Sequence, residues 1–182
     1  MITTADLTTP EGLLSELLTG AAEALDIPPE LEPHARWPYL DIGMHLNRHG
    51  DSLGGAEWNV YPQGSFLLGT VVSPVFAEGE YDIDLVCLRM IEKTSTTQAG
   101  LKRDVGTALD GYIRLAGGVS LSEGGRCWTL AETRLNFHAD VLPAIPDDDG
   151  SETGILLTDR DLSPWLKSDP VRYAAWFKDR MK

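Results

Sequence analysis

The chain has 182 residues and a formal net charge of −13, from 15 Lys and Arg against 28 Asp and Glu. That length suffices for one domain with a proper core. Its basic residues are scattered, which speaks against tracking long DNA or RNA, a task that takes a basic stripe.

No apolar run is long enough to span a bilayer, so no membrane partner is expected. The opening Met1-Ile2-Thr3-Thr4-Ala5-Asp6 has no basic-then-apolar leader. Cys87 and Cys127 fall in apolar, strand-like runs without metal-ligand spacing, and read as small core residues of a reduced, cytoplasmic protein.

Thr9-Pro10-Glu11 predicts a helix start: a capping hydroxyl, a proline at the first helical position and an early acid. Leu13, Leu14, Leu17, Leu18, Ala21 and Leu25 then recur at helical spacing up to Asp26, and Pro28-Pro29 stops the helix. A second helix is predicted from about Pro33 to Asn47, with Trp37, Leu40, Ile42, Met44 and Leu46 on its apolar side. His45 and His49 lack the adjacent Glu of a zinc-hydrolase helix and a third ligand, so they read as a solvated face.

Gly50 and Gly54-Gly55 mark a loop, and Trp58 leads into Tyr61-Pro62-Gln63-Gly64-Ser65-Phe66, a glycine turn opening a short helix over 65–68. Strand and turn alternate through Ser73-Pro74 and Glu78-Gly79. The strand Tyr81-Asp82-Ile83-Asp84-Leu85-Val86 runs to about Met90. One face carries Tyr81, Ile83, Leu85 and Cys87, the other Asp82, Asp84, Val86 and Leu88.

A helix is predicted from about Gln98 to Leu115, and Gly117-Gly118 and Gly124-Gly125 bracket a short strand. Strands follow over 127–131 and 134–142, the latter placing Asn136, His138 and Asp140 on one face and Phe137, Ala139 and Val141 on the other. Residues 154–158 are predicted as an edge strand. From Pro164, the apolar residues Trp165, Leu166, Tyr173, Trp176 and Phe177 predict a helical region broken at Asp169-Pro170.

Asp-x-Asp occurs three times, so the motif alone decides nothing. Asp147-Asp148-Asp149-Gly150 reads as a solvated turn and Asp159-Arg160-Asp161 as a strand end; only Asp82 and Asp84 lie inside a continuing strand. Acids at i and i+2 point the same way, about 7 Å apart. Unpaired on a half-buried face they are costly, whereas with Asp140 they suit a pair of hard divalent cations.

A Gly-Ser turn upstream presents backbone N–H groups to a phosphate. Together this is equipment for nucleotidyl transfer, a reaction in which Mg²⁺ screens the triphosphate from an acidic chain. Ser65 lacks a Gly-x-Ser-x-Gly elbow, His138 reads as structural, and the five Trp as core and cleft wall. The order of elements gives an α+β fold with a mixed sheet flanked by helices.

Gln63-Gly64-Ser65-Phe66, Gly69-Thr70, the Asp82/Asp84 strand and Ala139-Asp140-Val141-Leu142-Pro143-Ala144 together resemble the polymerase-β-like nucleotidyltransferases. More narrowly they resemble the bacterial cGAS/DncV-like enzymes that make cyclic oligonucleotide signals in anti-phage defence. Trp165-Leu166-Lys167-Ser168-Asp169-Pro170, followed by Trp176-Phe177, is similar to that family too, and the likeness runs over roughly 33–182.

The resemblance implies a palm domain over 33–162, preceded by an N-terminal helical segment over 1–32 and followed by the start of a C-terminal helical region over 163–182. It implies two Mg²⁺, with Mn²⁺ as a substitute, held by Asp82, Asp84 and Asp140. Nucleoside triphosphates would be bound at Gln63, Gly64 and Ser65. Such enzymes continue into a helical domain that closes the cleft, so the resemblance also implies that this domain is truncated here, to be completed by further sequence or a partner protein. Transfer to a small-molecule or protein hydroxyl, or a silent nucleotide-binding module, are the competing expectations.

Overall fold

The computed structural model describes residues 9–26, 32–49, 55–74, 76, 79–132, 137–148, 150–161 and 164–182. Pro28-Pro29, Gly50, Gly54, Glu78, Arg134, Asn136, Asp149 and Ser163, named above, lie outside the described residues.

Helix α1, Pro10–Leu25, starts as predicted: the Thr9 hydroxyl accepts the Gly12 N–H at 3.0 Å and Pro10 takes the first turn. Its Leu13, Leu14, Leu17 and Leu18 are exposed, so this helix adds little to the core. Helix α2, Glu32–His49, is longer at both ends than its periodicity predicts. It is tied to strand β1, Trp58–Pro62, through Asn47, whose amide donates to the Trp58 carbonyl at 2.8 Å and accepts the Trp58 N–H at 3.0 Å.

Then come α3, Gly64–Leu68, and β2, Tyr81–Arg89. After α4, Gln98–Ala116, follow β3, Val119–Glu123, β4, Trp128–Glu132, and β5, Phe137–Pro146. Strands β6, Ile155–Leu157, and β7, Leu166–Ser168, precede α5, Pro170–Arg180. The strands form one mixed sheet ordered β1-β2-β5-β4-β3, with β6 on the far end of β5 and β7 beyond it. Among the described residues, β2 and β5 pair in parallel and the other pairs are antiparallel.

Alternation along the strands gives each face its own character. Ile83, Leu85 and Cys87 of β2, Ala139 and Val141 of β5 and Leu130 of β4 pack under Ile42 and Leu46 of α2 and Leu101, Val105 and Leu109 of α4. On the opposite face a smaller cluster, Val86, Ala144 and Ile155, covers only the far end of β2 and β5. The near end of that face is left to Asp82, Asp84 and Asp140.

Helix α4 lies close enough to the sheet that a Cβ on Gly106 would meet the Trp128 ring at 2.2 Å. The Trp128 indole is fixed by donating to the Lys102 carbonyl at 2.8 Å. Gly106→Ala is therefore expected to destabilise by about 1–3 kcal/mol through overpacking, read by urea denaturation. A wild-type midpoint would show that α4 lifts freely from β4.

The structure differs from the sequence reading at the C-terminal end. Leu166–Ser168 is a strand paired with β6, not a helix, and β6 consequently has partners on both sides. The helix starts only at Pro170, where Asp169 accepts the Arg172 N–H at 3.0 Å. Burial opposes charge on Asp169, but hydrogen bonds from Ser151, the Arg172 N–H and Thr153 outweigh it and hold the carboxyl below the usual range. Asp147 is buried rather than solvated, with the Lys167 ammonium 3.0 Å away. His45 packs edge-on against Tyr112 of α4, at 5.6 Å between rings, instead of facing water.

Candidate active site

Strands β2 and β5 run side by side in a register that sets Asp84 opposite Asp140 and Asp82 opposite His138. All four side chains share one face, because their alternates Ile83, Leu85, Ala139 and Val141 fill the core on the other. The pleat of two central strands thus delivers the acids together, and burial of one face fixes which residues the other presents.

The glycine turn arrives from β1. Gln63 donates its N–H to the Asp84 carbonyl at 2.8 Å, and the backbone then turns left-handed at Gly64, with φ +57°. A Cβ on Gly64 would stand 2.4 Å from Oδ2 of Asp84, so the turn lies directly against that carboxylate. Glycine is required twice there, by the dihedral and by the contact. Helix α3 ends at Gly69, φ +74°, whose N–H returns to the Ser65 carbonyl. Gln63, Gly64 and Ser65 therefore stand at the N-terminal end of α3, where the first N–H groups lack intrahelical acceptors.

Asp82 is exposed, while Asp84 and Asp140 are half-buried. Among the described residues no ion pair joins any of the three to a Lys or Arg. Burial raises the Asp84 carboxyl above its ordinary range, and the charges of Asp82 and Asp140 raise it further. Asp140 accepts the Thr129 hydroxyl at 2.6 Å. Its Oδ1 also lies 3.4 Å from His138 Nε2, and the other ring nitrogen is 3.6 Å from Glu80.

The described residues contain no three His, Cys, Asp or Glu side chains drawn together to hold an ion alone. A Mg²⁺ site of the substrate-completed kind needs only one or two carboxylates, with phosphates and water supplying the rest. Neighbouring carboxylates that no described Lys or Arg pairs with, one of them raised by burial and by the other two, fit such an ion.

Several neighbours of Asp140 escaped the sequence reading. Cys127 is half-exposed rather than a core residue. Burial, the Asp140 charge and a hydrogen bond to that carboxylate all push its thiol up. Thr129 carries no signal of its own within the predicted 127–131 strand, although counting outward from the short connection between β4 and β5 pairs it with Asp140. His138, read as structural, lies at the edge of the site.

A cavity of about 1080 Å³ opens on the other side of the sheet, beside Lys102, Gly106, Glu123, Trp128, Asp159 and Trp165. Three of its charged groups, Lys102, Glu123 and Asp159, are paired within the protein. Lys102 donates to the Gly124 and Gly125 carbonyls and faces Glu123 at 3.4 Å, and Arg126 holds Asp159 at 2.7 Å. None of the predicted site residues lines it.

No protein-family model matches the sequence. It is 27% identical over 169 residues to a c-di-GMP synthase of Roseivirga ehrenbergii, covering 91% of this chain and 43% of that protein. The fold is similar to the Bradyrhizobium diazoefficiens CD-NTase CdnG, solved in complex with GTP. The TM-score is 0.76 at 22% identity, over 92% of this chain and 48% of that one. The GTP-bound form of Vibrio cholerae DncV superposes with a TM-score of 0.58 at 25% identity, over 71% of this chain and 35% of that one.

The chain thus has the mixed-sheet palm fold of the polymerase-β-like nucleotidyltransferases, and its likeness to the cGAS/DncV-like enzymes holds at the level of the superfamily. It spans less than half the length of each of these relatives. Among the described residues no helix is long and apolar enough to cross a membrane.

Proposed function

We propose that this chain is the palm of a metal-dependent nucleotidyltransferase that joins nucleoside triphosphates into a cyclic di- or oligonucleotide, releasing pyrophosphate, in anti-phage defence signalling. The observation that carries the reading is the register of β2 on β5: Asp84 opposite Asp140, with the Gly64 turn against Asp84.

Asp82, Asp84 and Asp140 would hold the divalent cations, which when bound neutralise the triphosphate and acidify the attacking hydroxyl. Gly64 and Ser65 would hold the outgoing phosphates through backbone N–H and hydroxyl donors, and Gln63 fixes the turn against β2. Asp140, beside Asp84 but steadied from β4, would face the acceptor ribose. The acceptor oxygen forms a bond to the α-phosphorus, the bond from that phosphorus to the β-bridging oxygen breaks, and the hydroxyl proton leaves to water. In-line placement and charge neutralisation supply most of the acceleration in such a step. A second round on the linear intermediate closes the ring.

GTP is the first donor to test, because the relatives include a c-di-GMP synthase and GTP-bound structures. The experiment incubates the chain with labelled NTPs and Mg²⁺ or Mn²⁺, alongside an Asp82→Asn/Asp84→Asn double variant. Pyrophosphate and a phosphatase-resistant product, both absent with the variant, are expected. Nucleotide appearing on a small-molecule or protein hydroxyl would replace cyclisation with a different acceptor. Equal product from the variant would overturn the site.

A further inference from the structure

We infer that Thr129 is a positioning residue for Asp140, holding that carboxylate in the orientation the cation site needs; the inference rests on the reading of the site just proposed. Strand β4 sets Thr129 directly opposite Asp140, on the acidic face of the sheet. The Thr129 hydroxyl donates to Oδ1 at 2.6 Å, the short length of a hydrogen bond to a charged acceptor. Its χ1 is restricted by β-branching, so the donor itself is stiffly held.

The position does not call for Thr on folding grounds. Valine suits a central strand as well, and what the hydroxyl adds is the bond to Asp140 together with a hydrogen bond to the Cys127 thiol. The contacts from Thr129 and from His138 Nε2 at 3.4 Å fall on Oδ1, and the Cys127 thiol also hydrogen-bonds this carboxylate. Thr129 thus supplies the 2.6 Å contact that holds the rotation of a half-buried group which the Cys127 thiol and the imidazole also reach.

The backbone beneath Thr129 is anchored on three sides: β4 pairs with both β3 and β5, and the preceding residue, Trp128, is bonded to α4 through its indole. A rigid donor opposite a ligand carboxylate is the arrangement by which neighbouring groups tune cation affinity, with effects of about 10-fold to 100-fold when removed.

The test reads binding without turnover. Mn²⁺ alone is titrated into the chain, and the free ion is counted by its paramagnetic resonance signal. Wild type, Thr129→Val, Thr129→Ser, Thr129→Ala and Asp84→Asn are compared, each checked for fold by circular dichroism. Thr129→Val is expected to weaken Mn²⁺ binding about 10-fold or more, and Thr129→Ser to bind as wild type does. The Mg²⁺ concentration for half-maximal pyrophosphate release should rise in the same order.

A folded Thr129→Val that binds Mn²⁺ as wild type does overturns the inference, and the site reading survives if Asp84→Asn has lost binding. Should the valine variant not fold, Thr129→Ala, which removes the hydroxyl without adding bulk, decides on the same criterion. Undiminished binding by Asp84→Asn overturns the site reading and this inference with it.

Discussion

Asp84→Asn is expected to give an inactive protein that is nonetheless harder to melt than its parent in the absence of divalent ions. Loss of a cation ligand removes charge stabilisation of several kcal/mol from the transition state, so turnover should fall about 1000-fold or more. The stability gain follows from the surroundings of Asp84: burial raises its carboxyl, and Asp82 and Asp140 raise it further.

A raised value in the folded state means that folding takes up a proton there. That contribution is fully present below the unfolded carboxylate value, about pH 4. It is lost as pH rises through the folded value. Asparagine, being neutral, escapes the loss. The melting temperature of the variant should therefore exceed that of wild type at pH 7 without Mg²⁺, and the gap should close toward pH 4. Added Mg²⁺ should narrow the gap at pH 7, because only the parent gains by binding. A variant that melts lower than wild type at neutral pH, without divalent ions, would mean that Asp84 is satisfied within the protein and is not held ready for a cation.

Gly64→Ala is the second large effect, and it acts at one remove from the chemistry. A single methyl group there would sit 2.4 Å from Oδ2 and 3.3 Å from Cγ of Asp84, on a backbone with φ +57°. The left-handed dihedral alone costs about 1–2 kcal/mol for an L-residue. The remaining conflict can be relieved only by moving the Asp84 carboxylate or the turn that carries Gln63 and Ser65. Either shift displaces a proposed ligand by a distance of the order of 1 Å, which is enough to cost about 100-fold in rate. Urea denaturation and pyrophosphate release on the same preparation check both parts. Full activity in a destabilised variant would show that the close approach of turn and carboxylate has no catalytic consequence.

The elements that carry these two predictions were the most legible in the chain. Asp82 and Asp84 stood out because the strand continued apolar on both sides of them, and the sheet does bury the alternate residues Ile83, Leu85 and Cys87. Gly64 was readable as a turn, but its contact with Asp84 was not, since that depends on how β1 lies against β2. Asp140 is legible from its strand pattern, whereas its register with Asp84 is a property of the parallel pair alone.

Aromatic content misled at Trp165-Leu166. Those residues read as helix, yet the neighbouring Asp169 caps the helix that follows and leaves Leu166–Ser168 to pair with β6. Asp147 defeated the composition argument for a different reason. Three consecutive acids look solvated, and nothing local reveals that Lys167, twenty positions on, will cover one of them.

The parallel pairing of β2 with β5 also governs when the site can exist. Asp84 and Asp140 are fifty-six positions apart in the chain, and α4, β3 and β4 all lie between them. Closing a crossover of that length costs entropy before any pairing rewards it, which makes such contacts late events in folding. A nascent or partly unfolded chain can form α4 and the β3–β4 hairpin while its acids remain far apart. Cation binding should therefore report on completed folding, and Mg²⁺ should slow unfolding of the finished sheet far more than it speeds the assembly.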